Sequence, residues 1–140
     1  ILGLEADLTY RLTENMQFFA NYTYNRSTIE EFNERPELEG KRLEYVPEHS
    51  ASAGARILSS WLNAQVVLNH VGSQYINDTN TEKISSYETV DVKLWRTLDF
   101  LSPKLSANLT VQNLFDEKHL RSEDEESPGV FVVGELSYEF

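Results

Sequence analysis

The sequence contains no cysteine, which excludes both a disulfide framework and a thiolate metal site. Positive charge is scarce too: 12 Lys and Arg stand against 23 Asp and Glu, for a formal net charge of −11. Phosphate backbones are bound by clustered Lys and Arg, so a nucleic-acid partner is set aside. No apolar run approaches the roughly 18 residues that a membrane-spanning helix needs. The opening ILGLEADL has neither the basic region nor the cleavage site of a secretory signal. Any export address is therefore expected to lie outside this sequence or to have been removed from it. Apolar side chains, in contrast, are plentiful: 40% of the residues are hydrophobic, including seven Tyr, seven Phe and two Trp. That is too apolar for a disordered tail, and 140 residues suffice for one domain able to bury a core of its own.

The dominant periodicity is two. Leu4, Ala6, Leu8, Tyr10 and Leu12 alternate with Glu5, Asp7, Thr9 and Arg11, which places the apolar set on one face of a strand and the polar set on the other. The same alternation returns from Phe18 to Tyr24, Ala51 to Ile57, Leu62 to Leu68, Val90 to Leu94, Leu105 to Val111 and Val130 to Phe140. It predicts seven strands and no helix. The fold expected is an all-β, antiparallel up-and-down meander of about seven or eight strands, part of a β-barrel or closing into one.

The connections alternate in length. LTEN, SS and a turn around Ser102 to Lys104 are short, whereas residues 27–49, 73–86 and 116–129 form long polar loops. Successive connections of a meander fall at opposite ends, so all tight turns lie at one end and all long loops at the other, the asymmetry of outer-membrane barrels. The first long loop has seven acids and three bases, the third six acids and two bases, and together they carry −8 of the net −11. The SEDEES run, Ser122 to Ser127, is a candidate cation trap, although calcium sites need ligands fixed in geometry and a solvated loop explains the run as well. Tyr10, Tyr24, Trp61, Tyr75, Tyr87, Tyr138 and Phe140 fall near strand ends, where interfacial girdles are expected. A last strand carrying Tyr138 and Phe140 on one face belongs beside a first strand in a barrel, where its edge is paired.

Catalytic and metal chemistry is sparse. His49, His70 and His119 lie on three different segments with no His-x-x-x-His spacing, so no metal site is expected. No Gly-x-Ser-x-Gly elbow occurs, and neither an enzyme nor a cofactor is expected. The sequons at Asn21, Asn25, Asn77 and Asn108 are short patterns that carry little weight inside strands.

These residues resemble the C-terminal barrel segment of TonB-dependent outer-membrane receptors. Gly3 to Ser27 is similar to the family's strand pair with a short turn, and EYVPEHSASAGARI, Glu44 to Ile57, to its proline-then-serine approach to a descending strand. VQNLFDEKH, Val111 to His119, is similar to its NLFD motif followed by a basic residue and His. The ending ELSYEF resembles the family's last strand, whose terminal aromatic is read by the barrel-assembly machinery; Tyr138 and Phe140 are the assembly signal this implies. The resemblance further implies that residues 1–140 are the C-terminal portion of a receptor barrel. The plug domain, the N-terminal barrel strands and the segment that engages TonB would then lie elsewhere. About 22 strands of about 9–11 residues need over about 200 residues, and seven is odd in a class with even strand numbers.

The implied function is that of barrel wall in an active transporter for a scarce ligand, such as an iron–siderophore complex or cobalamin. The implied partners are outer-membrane lipid, the assembly machinery, the rest of the barrel with its plug, and TonB through that plug alone. Two alternatives stay open: a small soluble ligand-binding barrel with the apolar face inward, and a small eight-stranded structural outer-membrane barrel, completed by a further strand within Arg42 to Val46. A free seven-stranded sheet is expected to close on itself or to pair edge to edge, with closure first because seven strands approach the eight that side chains can just fill.

Overall fold

Alternating side chains leave the backbone extended and its N–H and C=O groups free for lateral pairing, and each alternating segment forms a strand. A computed structural model describes residues 1–102, 104–122 and 125–140; Pro103 of the expected Ser102 to Lys104 turn, and Glu123 and Asp124 of the acidic run, lie outside the described residues. The strands are β1 (Leu2–Thr13), β2 (Met16–Arg26), β3 (His49–Ile57), β4 (Asn63–Val71), β5 (Gln74–Tyr75), β6 (Lys83–Ile84), β7 (Tyr87–Thr97), β8 (Leu105–Gln112), β9 (Leu120–Ser122), β10 (Glu125–Glu126) and β11 (Phe131–Tyr138). Seven of them form one antiparallel sheet in the order β1-β2-β3-β4-β7-β8-β11. The pairs β5–β6 and β9–β10 are separate two-stranded ribbons inside the second and third long loops. Neither was legible as period-two sequence, because each strand is only two or three residues long. The first long loop holds one turn of 3-10 helix, Pro36–Leu38.

The register keeps the two faces distinct across the whole sheet. The row Tyr10, Phe18, Ala55, Val66, Val92, Val111, Val132 crosses all seven strands through directly opposed residues. The next row along, Arg11, Gln17, Arg56, Gln65, Lys93, Thr110, Val133, lies on the opposite face. On β7 the apolar face carries Val90, Val92 and Leu94, and the charged Glu88 and Arg96 mark its two rims.

Packing follows from this one-sided pattern. Among the described residues the buried hydrophobic side chains are Leu38 and Ile84, at 2% and 3% exposure, and both sit in or beside the long loops. On the apolar face Leu4, Leu8, Val132 and Leu136 are each more than half exposed, while the concavities along the sheet open on the polar face. Among the described residues the sheet has no core of its own, because one curved layer has nothing to pack against. The soluble ligand-binding barrel is corrected by the same geometry, since it requires the apolar side chains within the concavity. Closure is corrected as well: β1 and β11 each have one strand neighbour, and the sheet is open. The eight-stranded alternative fails at its added strand, because in Arg42 to Val46 only Arg42 forms a bridge, isolated, with Thr28.

Two of the seven expected girdle aromatics have other roles. Tyr10, Tyr24 and Tyr138 lie on the apolar face by register, and Trp61 is exposed in the 58–62 turn. Tyr75 lies within the second loop, with the Lys83 ammonium 4.7 Å from its ring centroid. Tyr87 opposes Val71 and shares the polar face with Thr89 and Asp91, because residues two apart point the same way.

Gly54 shows how tightly the polar face is built. It opposes Phe19, and a Cβ there would stand 2.5 Å from Phe19 Cζ and 2.5 Å from the Val66 carbonyl oxygen. The aromatic ring covers the glycine, a cross-strand arrangement in which a larger residue displaces either the ring or the neighbouring backbone. Gly54→Val should therefore lower stability by about 1–3 kcal/mol, whereas Ala53→Val on the exposed apolar face should change it by less than about 0.5 kcal/mol. Urea unfolding of the whole protein in detergent micelles, compared between the two variants, distinguishes them.

Candidate functional site

Polar side chains converge where the polar face meets the third long loop. A concavity of about 490 Å³ lies there, between β4, β7, β8, β11 and residues 113–130. Its floor is organised by Asp91. Asn69 Nδ2 donates to Asp91 Oδ2 at 3.0 Å and to Thr89 Oγ1 at 3.4 Å, and the Asn113 backbone N–H donates to Asp91 Oδ1 at 2.9 Å. With both carboxylate oxygens engaged, Asp91 is an anchor for the loop.

The wall of the concavity is the NLFD motif folded on itself. Asn113 and Asp116 take left-handed conformations, with φ of 51° and 56°, which short polar side chains tolerate by bonding the backbone locally. Asn113 Oδ1 accepts from Glu117 N and its Nδ2 donates to Glu117 O, each at 2.9 Å. Asp116 Oδ1 accepts from Val130 N at 2.9 Å and from Lys118 Nζ at 3.0 Å. The Lys118 ammonium, and after it the Val130 amide, hold the Asp116 carboxyl below its ordinary value of 3.8. Farther along the loop the His119 ring stacks on Tyr87, with centroids 3.7 Å apart and planes 10° apart. Among the described residues the buried His119 Nδ1 has no hydrogen-bond partner.

The first and second long loops form a second unit at the same end. Asn80 Oδ1 accepts from Arg42 N at 2.6 Å, its Nδ2 donates to Arg42 O at 2.9 Å, and Tyr45 N donates to Tyr75 O at 2.8 Å. Arg35 pairs with Glu37 and with Asp78, and the two carboxylates, Glu37 first, raise the guanidinium above its ordinary value. The first two long loops are thus joined to each other by side chains rather than left as separate strings.

The residues singled out in the sequence are not gathered into one site. Tyr22 Oη is hydrogen-bonded to His49 Nδ1 at 2.7 Å, and His70 Nδ1 lies 2.7 Å from Glu88 Oε1, both pairs being at the long-loop rim of the apolar face. His119 is on the polar side. Among the described residues no three His, Asp or Glu side chains form a metal-binding group. Of the acidic run, Glu125 faces Arg121 at 3.5 Å. Tyr138 opposes Leu105 on the apolar face, and the Phe140 ring meets it edge-on at 5.3 Å. Glu139 N donates to Lys104 O at 3.0 Å, and Glu139 lines a concavity with Ser137 on the polar face. This aromatic pair lies at the tight-turn end, across the sheet from the loop concavity. The concavity itself went unread in the sequence; its signal was Asn69, Thr89 and Asp91 at polar-face positions together with the NLFD motif and Gly129.

Residues 1–114 match the family described as TonB dependent receptor-like, beta-barrel. The chain is 25% identical over 122 residues to the ferrioxamine receptor of Yersinia enterocolitica, a match that takes in 84% of this chain and 17% of that protein. Its fold is similar to that of the ferric citrate transporter FecA in the unliganded form, with a TM-score of 0.84 at 20% identity over 99% of this chain and 24% of the other. BauA, the ferric preacinetobactin receptor from Acinetobacter baumannii, gives a TM-score of 0.81 at 18% identity, again over 99% of this chain and 22% of the other. The chain spans 17% and 22% of the lengths of the two curated relatives it matches.

The depressed Asp116 pKa has a definite sign in stability. A carboxylate stabilised in the folded state contributes above its unfolded pKa and loses that contribution as pH falls through the folded value. The Val130 amide proton should therefore titrate in NMR spectra with a midpoint below 3.8, the loop contact being intact at neutral pH. Asp116→Asn should abolish that titration and leave the β7 and β8 amides unmoved.

Proposed function

Because the chain belongs to the TonB-dependent receptor β-barrel family, we propose that residues 1–140 are the C-terminal portion of the barrel wall of an outer-membrane active transporter. The family is one of transport receptors of the outer membrane rather than of enzymes. The observation that carries the reading is the registered seven-stranded sheet with one uninterrupted apolar face and two unpaired edges. In hydrocarbon every backbone group must be paired, so β1 and β11 require further strands of the same receptor beside them. The apolar face then meets lipid, the polar face lines the lumen and meets a plug, and the long loops face outward. TonB acts through the plug and has no contact with this wall.

The ligand class we favour is an iron chelate. Ferrioxamine, ferric citrate and ferric preacinetobactin appear in the names of the similar receptors, which supports this class over cobalamin. The wall contributes the loop-end concavity and the joined first and second loops as surfaces a chelate can touch. Cells expressing the whole receptor should take up radio-iron from at least one siderophore in a TonB-dependent manner. Uptake of cobalamin with no iron chelate transported would overturn the ligand class.

Tyr138 and Phe140 are proposed to be the signal read by the barrel-assembly machinery. One interfacial side chain contributes about 1.5–3 kcal/mol by burial, a small part of the stability of a large wall, whereas a recognition signal acts before the wall exists. Deleting Phe140, or Tyr138→Ser, should reduce assembled receptor in outer-membrane fractions several-fold while leaving the heat resistance of assembled protein nearly unchanged. Glu139→Ser, altering the lumen-facing neighbour, should leave both quantities at the parental level.

A further inference from the structure

We propose that the NLFD turn, Asn113 to Asp116, is the register clamp of the last ladder: it decides which residue of β11 stands opposite which residue of β8. Tight hairpins have their register set by the turn, but the first pair of this ladder, Gln112 and Phe131, is separated by a loop of 18 residues. Side-chain pattern does not supply the missing information. Val130, Phe131, Val132 and Val133 are apolar at consecutive positions, so the strand starts with no clear alternation. A slip by two residues, moreover, returns every side chain of β11 to its own face, because the period of a strand is two.

The clamp has a fixed side and a moving side. On the fixed side, Asn113 N donates to Asp91 Oδ1 at 2.9 Å and Leu114 N donates to the Val90 carbonyl at 2.8 Å, which ties the turn to β7. Asn113 is 6% exposed, and its amide closes the turn on Glu117. On the moving side, Asp116 Oδ1 accepts from Val130 N at 2.9 Å, one residue before β11 begins. Gly129 makes that approach possible: its φ is +75°, and a Cβ there would stand 2.2 Å from Asp116 Oδ1. A two-residue slip carries the Val130 amide about 7 Å along the strand and breaks the contact. Asp116 thus distinguishes registers that the hydrophobic pattern treats as equal.

The absence of cysteine makes the register directly measurable. Ala107 opposes Leu136, at a separation a disulfide can span, so Ala107→Cys with Leu136→Cys reports the native ladder. Ala107→Cys paired with Gly134→Cys or with Tyr138→Cys reports the two slipped ones. A third pair, Ala53→Cys with Leu68→Cys, reports the β3–β4 ladder. In the whole receptor, assembled in its membrane and free of other cysteines, Asn113→Ala with Asp116→Ala should lower the ratio of native to slipped cross-link by about tenfold, the shift expected from losing hydrogen bonds at the clamp. The β3–β4 cross-link should persist, and Asp116→Asn, which keeps the acceptor oxygen, should retain the native register. An unchanged ratio in the double variant would overturn the proposal. So would loss of the β3–β4 cross-link along with the native one, since the turn would then be supporting the whole sheet rather than one register.

Discussion

Lateral pairing of backbone groups is the constraint on which the rest of this structure depends. A wall exposed to hydrocarbon has no water to satisfy an open N–H or C=O, so the strands must satisfy one another. Once they pair antiparallel, the period of two does the rest: the row Leu8, Ala20, Ala53, Leu68, Val90 exists because five strands share one parity. A single one-residue slip at any ladder would send polar groups such as Asp7, Asn69 or Lys93 into the apolar face. The ladder also explains the near absence of buried hydrophobic side chains. Stability comes from pairing within one layer and from lipid on one side of it, not from a second layer packed against the first.

Where the ladder stops, side chains take over the same task. The long loops cannot pair laterally over their whole length, and where backbone pairing stops Asn and Asp side chains take several of the remaining backbone groups. Asn80 holds both backbone groups of Arg42, Asn113 holds both of Glu117, and Asp116 holds the amide of Val130. All three take left-handed backbone conformations, at the cost those residues tolerate best. Leu38 and Ile84 add small apolar anchors beneath the loops. The outcome is an acidic, preorganised long-loop end, with the first two loops joined by Asn80 and the third folded down upon β7 through Asp91.

The same residue types read differently according to parity, and this is where sequence reasoning was least able to see. Tyr24 and Tyr87 both stand at strand ends, yet Tyr24 faces the apolar side against His49 whereas Tyr87 turns inward and stacks on His119. Strand-end position is not enough to fix the face: Tyr87 stands an odd count before the alternating residues Val90 to Leu94, which in an unbroken strand places it on the polar face. The NLFD motif was legible as a family mark, while its mechanical content depends on Asp91 and Gly129, remote in sequence. The short ribbons β5–β6 and β9–β10 left no pattern, since two or three residues are too few to show a period.

The sequence by itself determined the seven strands of the main sheet, their order, the end at which the long loops gather and the family. Each of these follows from local alternation or from short motifs, which need no distant partner to be recognised. Tertiary structure decided whether the apolar face lies within a small barrel or outside an open wall, because alternation is identical in the two cases and only curvature and edge pairing separate them. It also decided which polar side chains meet. Asp91 reaches both Asn69 and the Asn113 amide only after three strands have been laid side by side, and hydrogen bonds between residues some 20 positions apart are set by that register rather than by any spacing along the chain.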